Sequence, residues 1–399
     1  MFTEIILAII LGVLSGVVTG IIPGIHVNLV AVMLASSTFY VNYNPVVVAI
    51  YIISLALTHT FLDSIPTIFL GAPDADMALS ILPGHKMLLM GKGYEAVKLT
   101  VTGSYLCLLG TIFAIPLIIP HLGKLYAIIQ PYMVYFLIAV GLIMVLTESG
   151  LKKFLGLYTL LQAGILGLVV FQLPLRQPLF PLFTGLFGIS TLLLSLSNNV
   201  KIPEQKKVPH VRVGFLRTLK AVIIGIFAGS LTGLLPAIGA AQASLIGMLA
   251  AGKRFGKRAF LILFGGTNTV NFSFSIATVF ALGKARNGAI IAVMDLVEIN
   301  LNILILFLIT SLIAGSIAVF LTLGIAKIFS KIITKINYTA LVVGIMLFIS
   351  IMVVIISGFL GLLVLLISTF IGMIPVLVGV KRSHNMGCLL IPVILYLLL

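Results

Sequence analysis

Two helix-breaking segments with the same residue spacing are the parts of this chain best suited to bind an anion. Residues 8–28 and 221–241 share a Gly-x3-Gly-x2-Thr-Gly-x2-Pro frame, in which Pro23 of the first copy aligns with Pro236 of the second. Proline removes a backbone donor and glycine permits unusual dihedral angles, so a helix stops there and restarts. The restarting helix presents free N–H groups, which favour a carboxylate or a phosphate. The pattern predicts two anion-binding tips, although such glycines can also serve only close helix packing.

Polar side chains inside two otherwise apolar stretches form a second candidate feature. Residues 58–60 read Thr-His-Thr, and residues 267–269 read Thr-Asn-Thr and are followed by Asn271. Both stretches end in Leu-Gly, and aligning Gly71 with Gly283 pairs His59 with Asn271. Polar side chains inside a membrane span usually face a cavity or a partner helix. These residues are therefore candidate ligand contacts, or they satisfy the backbone of a broken span and join helices.

The predicted substrate-binding residues come from both features in both halves. They are Thr19, Gly20, Pro23, Gly24, His26, Asn28, Thr58 and His59 in the first half and Thr232, Gly233, Pro236, Gly239, Asn268 and Asn271 in the second.

Asp63 is the clearest carboxylate deep inside a predicted span. Burying it charged costs at least about 2.5–3.5 kcal/mol, which a cation or a proton would relieve. Asp63 and Thr60 are therefore candidates for coupling to Na⁺ or H⁺, and the alternative is that Asp63 orders the span. No cofactor is predicted, and the two cysteines, Cys107 and Cys388, lie in apolar runs that suggest neither a disulfide framework nor a metal cluster.

The composition indicates that the segments carrying these residues lie in a membrane. Of the 399 residues, 61% are hydrophobic and only 8% are charged, with a mean hydropathy of +1.30. A soluble core does not need so apolar a chain, so the fold class is an all-α polytopic membrane protein. The net charge of +15 indicates cationic cytoplasmic loops rather than a nucleic-acid partner.

The repeated frame predicts two inverted repeats, each with a re-entrant hairpin, a broken span and four further transmembrane helices. The repeats are 1–196, with hairpin 4–40 and broken span 46–70, and 214–399, with hairpin 215–250 and broken span 259–283; the polar linker 197–213 joins them.

The positive charges predict the orientation. Lysine and arginine are absent before Lys86, whereas basic residues lie on both sides of the second frame. The first hairpin would then open outside and the second inside, with the N-terminus outside and the linker in the cytoplasm. This arrangement places 20 of the 24 lysines and arginines in the cytoplasm, among them Lys381 and Arg382.

These motifs resemble the large membrane subunit of tripartite tricarboxylate transporters, the TctA family. The resemblance lies in Gly-x3-Gly-x2-Thr-Gly-x2-Pro-Gly-x-His, in its Gly-x2-Pro-Ala-x-Gly partner, and in the polar spans that end in Leu-Gly. It covers both halves in order, in a chain that looks like a short version of the family. The resemblance implies cation-coupled uptake of tri- and dicarboxylates, an extracytoplasmic binding protein and a small membrane subunit.

The leading hypothesis is therefore a secondary active permease for a small organic anion, with opposed hairpins that are compatible with elevator movement. A carrier for a lipid-linked phosphate such as polyprenyl phosphate is the main alternative, and a passive channel is another. An intramembrane enzyme is disfavoured because His-Glu-x2-His, Gly-x-Ser-Gly and a convincing pair of intramembrane aspartates are all missing from the sequence. Whether copies of the chain associate is left open.

Overall fold

The computed structural model describes the chain in ranges separated by gaps. The described residues are 2–22, 27, 30, 31, 34, 44–70, 81–175, 177–197, 203–206, 211, 213–235, 238–252, 255–334 and 337–399.

The described residues form helices and contain no strand. In chain order the α-helices are α1 (Phe2–Ile21), α2 (Pro45–Leu62), α3 (Ile81–Leu88), α4 (Gly93–Ile129), α5 (Met133–Leu146), α6 (Lys152–Gln172), α7 (Leu179–Phe183), α8 (Ser190–Ser197), α9 (Phe215–Leu234), α10 (Ala240–Ala251), α11 (Lys257–Leu282), α12 (Gly288–Leu296), α13 (Leu301–Ile332), α14 (Tyr338–Leu377) and α15 (Gly387–Leu398). Two π-helical segments, Pro66–Leu70 and Thr184–Ile189, and two 3₁₀ segments, Gln130–Tyr132 and Arg382–Met386, lie between them.

The helices confirm the prediction of an all-α polytopic membrane protein. Eight helical stretches of the described chain are long and apolar enough to cross a bilayer. A crossing needs about 20 residues, so the 54-residue stretch Gly93–Leu146 exceeds one span. The 40-residue helix α14 also exceeds one span, and its backbone breaks at Gly358, where φ is 70° and ψ is −172°. Only glycine adopts this conformation readily, so the break follows from the residue type.

The first of the two predicted broken spans is irregular at its carboxyl end. Helix α2 ends at Leu62, Asp63 lies in a turn, and a π-helical segment begins at Pro66. Pro66 has no N–H to donate to the preceding turn, so the regular hydrogen-bond ladder cannot continue through it. The Thr67 hydroxyl instead donates to the Asp63 carbonyl at 2.7 Å.

The predicted break in the second span is wrong. Residues 257–282 form one continuous α-helix, α11, although the prediction for 259–283 was a broken span. Proline is absent from this stretch, and its Thr and Ser hydroxyls bond carbonyls within the same helix, as Ser275 does to Asn271 at 2.6 Å. Two neighbouring glycines, Gly265 and Gly266, accommodate close helix packing instead of a break.

Apolar packing divides the helices into two groups. The first helix group comprises α1–α4 and α9–α13, and the second helix group comprises α5–α8, α14 and α15. Each half of the sequence contributes its earlier helices to the first group and its later helices to the second. The division is not complete. Ala241 and Leu245 of α10 join the apolar clusters of the second group, and Met133 of α5, Leu192 of α8 and Val342 of α14 join the cluster of the first.

The two halves of the sequence meet backbone to backbone between α4 and α11. A Cβ on Gly103 would collide with the Ile262 carbonyl, and one on Gly265 would collide with the Thr100 carbonyl. At one end of this interface Arg258 forms an ion pair with the buried Glu95, at 2.7 Å between Nη2 and Oε1. The first helix group is therefore assembled from both halves.

The linker between the halves is attached to the first helix group. The Gln205 side-chain oxygen accepts from the Gly93 N–H at 2.8 Å, and its amide donates to the Leu88 carbonyl at 3.1 Å. Lys92, which precedes α4, provides no side-chain cap. Gln205 thus satisfies backbone groups at the end of α3 and the start of α4.

The two glycine frames pack in the same register on the polar span of their own half. A Cβ on Gly16 would lie 2.5 Å from the Leu55 carbonyl, and one on Gly229 would lie 3.0 Å from the Thr267 carbonyl. Leu55 and Thr267 are themselves aligned when the two spans are superposed on their Leu-Gly ends. This agreement supports the internal repeat, while its inverted orientation in a membrane and its exact bounds stay predictions.

We expect Gly16→Ala and Gly229→Ala each to lower the free energy of unfolding by about 1–3 kcal/mol. The added methyl group meets the Leu55 carbonyl of α2 at Gly16 and the Val270 side chain of α11 at Gly229. Gly324→Ala in α13 is the matched control, since its Cβ meets nothing within 4 Å. It should be neutral or stabilising by up to about 1 kcal/mol. Thermal unfolding in detergent measures all three, and equal behaviour of Gly16→Ala and Gly324→Ala would contradict the packing described.

Candidate functional site

The two polar spans lie against each other within the first helix group. Helices α2 and α11 are in contact, and their polar side chains are almost completely buried. The buried polar residues are Ser54, Thr58, His59, Thr60, Asp63, Ser64 and Thr67 in the first span and Thr267, Asn268, Thr269, Ser273, Ser275 and Thr278 in the second. Buried polar groups need hydrogen-bond partners, so the partner of each one shows whether it serves its own helix or the contact between the spans.

Most hydroxyl groups in these spans bond carbonyls of their own helix. Thr60 donates to the Leu57 carbonyl at 2.8 Å and Ser64 to the Phe61 carbonyl at 2.7 Å. On α11, Thr267 donates to the Leu263 carbonyl at 2.9 Å. These residues satisfy the local backbone, which is the structural alternative that the sequence left open.

One polar contact occurs in both halves at corresponding positions. His59 Nδ1 lies 3.1 Å from Thr19 Oγ1, and Thr232 donates to Asn271 Oδ1 at 2.7 Å. Thr19 and Thr232 occupy the same place in the two glycine frames, and His59 aligns with Asn271 in the two polar spans. Four predicted site residues therefore form two equivalent pairs, each joining a glycine-frame helix to its polar span.

A second set of contacts joins the two spans to each other. Asn268 Nδ2 donates to Asp63 Oδ2 at 2.6 Å and approaches the Thr60 carbonyl at 3.5 Å. The Thr60 and Thr269 hydroxyls are 3.3 Å apart. Asp63 is only 3% exposed. The carboxyl group thus lies at the junction of the two halves, where it accepts a hydrogen bond from the second half.

Thr269 lies at this junction although it was not among the predicted substrate-binding residues, only within the polar run 267–269. Its position aligns with Leu57 of the first span, so the repeat offers no polar counterpart that could have indicated it. The only signal was its place in the Thr-Asn-Thr run.

Gly20, Gly233 and Thr58 lie at helix-packing contacts. A Cβ on Gly20 would lie 2.5 Å from Leu62 Cβ, and one on Gly233 would lie 3.0 Å from the Phe274 ring. Thr58 Cβ lies 2.7 Å from the position of a Cβ on Gly16. Packing explains these small residues, and their role in substrate binding stays a prediction.

Several predicted tip residues lie outside the described part of the chain, namely Pro23, Gly24, His26, Asn28 and Pro236. Beyond the second tip, the Gly239 N–H donates to the buried Gln242 side-chain oxygen at 3.0 Å. Gln242, which the sequence did not indicate, therefore occupies one backbone donor that the prediction left for an anion.

Within the described ranges, no group of three or more His, Cys, Asp or Glu side chains is placed to hold a metal ion. The oxygen atoms that take part in the contacts of this junction belong to the Asp63 carboxylate, two threonine hydroxyls and a backbone carbonyl.

Comparison with known proteins places this arrangement in a family. A family model described as "Tripartite tricarboxylate transporter TctA family" matches residues 6–387. An uncharacterized protein of Methanocaldococcus jannaschii is 32% identical over 369 residues, which cover 90% of this chain and 89% of that protein. No solved structure matches the chain significantly.

We expect Asn268→Leu to lower the free energy of unfolding by about 2–3 kcal/mol, because the buried Asp63 carboxyl loses an amide donor. The effect should shrink when Asp63 is already replaced by leucine, since both partners are then apolar. Thermal unfolding of the two single variants and the double variant measures the coupling between the residues. Additive losses would contradict the contact.

Proposed function

This chain belongs to the tripartite tricarboxylate transporter TctA family, and we propose that it is a secondary active permease that carries a small organic anion, a di- or tricarboxylate, with a coupled cation. The family match confirms the resemblance that the motifs indicated. The family consists of transporter components rather than enzymes. The eight apolar helical stretches fit a multi-pass membrane protein.

The observation that carries the proposal is the junction of the two polar spans. Asp63, Thr60, Asn268 and Thr269 bring polar atoms from both halves together in the buried interior of an apolar helix bundle. Intramembrane polar residues of this kind are costly and mark substrate or ion pathways. Sites in repeat-built transporters lie at the interface of the repeats, which matches this position.

Cation coupling at this junction is supported by the chemistry of its atoms. Several oxygen atoms at the junction are suitable ligands for a cation, namely those of the Asp63 carboxylate, the Thr60 carbonyl and the hydroxyls of Thr60 and Thr269. Carbonyls and carboxylates of this sort coordinate Na⁺ in transporters, and a single carboxylate can instead take up H⁺. The coupling ion of the proposal is therefore Na⁺ or H⁺ bound at Asp63.

Substrate binding is proposed next to this junction. The pairs Thr19–His59 and Thr232–Asn271 place a side chain with donor capacity beside each polar span. The two tips that follow these threonines would supply backbone N–H groups to the anion. The residues of the first half and of the second half then contact opposite ends of a molecule with two or more carboxylates.

Relative movement of the two helix groups is proposed as the transport step. The polar spans lie wholly in the first group, and the separate apolar clusters of the second group would provide the scaffold. This division supports an elevator in which the first group carries the substrate. The elevator proposal is drawn by analogy with transporters of similar fold.

The remaining elements of the proposal concern topology and assembly. The N-terminus would lie outside and the linker 197–213 in the cytoplasm, as the distribution of lysine and arginine favours. An extracytoplasmic binding protein would deliver the substrate, and a small membrane subunit would complete the tripartite system.

We expect Asp63→Asn to abolish Na⁺ stimulation of carboxylate uptake if Na⁺ is the coupled ion. If H⁺ is coupled, the same variant should mimic the protonated state and flatten the pH profile of uptake. Initial uptake of labelled succinate and citrate in proteoliposomes, with Na⁺ and pH gradients imposed separately, distinguishes these results. Asp295→Asn on α12 is the matched control, because the same chemical change there affects an exposed carboxylate.

Wild-type behaviour of Asp63→Asn under both gradients would reduce Asp63 to a structural residue. Failure of the wild-type protein, reconstituted with its partner subunits, to move any carboxylate would overturn the proposed function. Translocation of a polyprenyl phosphate by the same vesicles would then favour the lipid carrier.

A further inference from the structure

A buried arginine lies in the second helix group. Arg382 begins the 3₁₀ turn Arg382–Met386 between α14 and α15. The sequence placed it with Lys381 among the cytoplasmic loop cations, but the residue is only 9% exposed. Lys381, one position earlier, keeps an exposed side chain. The two neighbouring cations therefore differ in environment.

The hydrogen bonds of Arg382 leave a buried guanidinium donor without a partner. Nη1 donates to the Thr191 hydroxyl of α8, whereas Nε is buried and has no hydrogen-bond partner among the described residues. The next residue, Ser383, is also buried, and its hydroxyl has no partner there either. Guanidinium carries five N–H donors in a planar fork, so one hydroxyl satisfies only a fraction of them.

No carboxylate of the described residues lies within ion-pair distance of Arg382. Glu148, which does contact this turn, is taken by other groups: Oε1 accepts from the Lys381 N–H at 3.0 Å and lies 3.2 Å from His384 Nε2. Thr191 is neutral. A buried charge is costly unless it is paired and hydrogen-bonded, so the guanidinium charge remains without compensation from the described part of the chain.

Arg382 lies where the two helix groups meet. Its partner Thr191 is followed by Leu192, which packs in the apolar cluster of the first helix group. On the side of the first group, His85 of α3 lies 3.1 Å from the carbonyl of Ile68, in the π-helical segment that follows Asp63. Burial lowers the pKa of His85, the bond to Ile68 raises it, and the charge of Arg382 lowers it further. Arg382 is therefore a cation at the boundary between the two groups.

We propose that Arg382 binds one carboxylate of the transported anion at the boundary between the two helix groups, with the Ser383 hydroxyl as a second donor. The inference rests on the proposed function, because it names a contact for the same substrate. The planar fork of arginine matches a carboxylate with two parallel hydrogen bonds, and the anion would supply the missing counter-charge. In this proposal one carboxylate of the substrate pairs with Arg382, and a second carboxylate is left for the first helix group.

The test compares Arg382→Gln and Arg382→Lys with Lys381→Gln, which removes the same charge one residue away from an exposed side chain. Binding of citrate and succinate is measured by calorimetry in detergent, and initial uptake is measured in phosphatidylcholine proteoliposomes. Arg382→Gln should weaken the apparent affinity for both anions at least tenfold, and Arg382→Lys should lose less because it keeps the charge. Lys381→Gln should bind like the wild type.

Thermal unfolding without substrate separates a binding role from a structural one. Arg382→Gln should unfold at or above the wild-type temperature, because an uncompensated buried charge has been removed. Citrate should raise the unfolding temperature of the wild type but not of this variant. Wild-type affinity in a folded Arg382→Gln variant would overturn the assignment while leaving the proposed function intact, whereas absence of carboxylate binding by the wild type would overturn both.

Anionic lipid is the other source of a group that could pair with this arginine. The unfolding experiment is therefore repeated in vesicles of phosphatidylcholine and in vesicles containing phosphatidylglycerol. If anionic lipid stabilises the wild type but not Arg382→Gln, and citrate affinity is unchanged by the substitution, the residue binds lipid and the proposal is wrong.

Discussion

The bond between Asp63 and Asn268 is the interaction on which the centre of this molecule depends. The two residues lie 205 positions apart, and their side chains meet at 2.6 Å in the buried core of the first helix group. A carboxyl group in an apolar interior cannot turn to water, so its position is fixed by the donors that the protein provides. Here one such donor comes from the other half of the chain. Asp63 therefore makes the first half dependent on the second, and the threonine contact beside it strengthens that dependence.

Close approach of helices makes this arrangement possible. Glycines in the two frames bring α1 onto α2 and α9 onto α11, while Gly103 and Gly265 bring α4 onto α11. In lipid, helices associate through such small-residue contacts because there is little hydrophobic gain in leaving the lipid chains. Threonine and serine hydroxyls meanwhile bond carbonyls of their own helices and leave the amides and the carboxyl group for contacts between helices.

The sequence predicted the fold class from its composition and the family from motifs that recur in both halves. It named Thr19, His59, Thr232 and Asn271 as site residues, but it did not predict that they form pairs. Asn268 as the partner of Asp63 could not be predicted. The similarity between the halves identifies corresponding positions, but it does not show which residues of one half contact the other. The continuous α11 was missed because polar residues in a span do not by themselves interrupt it, whereas Pro66 does so in the first half. The burial of Arg382 was missed because charge counting treats every arginine near the end of a helix as a loop residue.

The long helix that connects the two groups has a mechanical consequence. Helix α4 contains 37 residues and is therefore roughly 55 Å long. It continues through the 3₁₀ segment Gln130–Tyr132, which contains a proline, into α5 of the second group. A rotation of only about 10° at this joint would swing the far end of α4 by roughly 10 Å, as the length of the helix requires. Glu95, Gly103 and the helices packed against them would move with that end of α4, so the proposed movement of the two groups would need only a small change of angle where α4 meets α5.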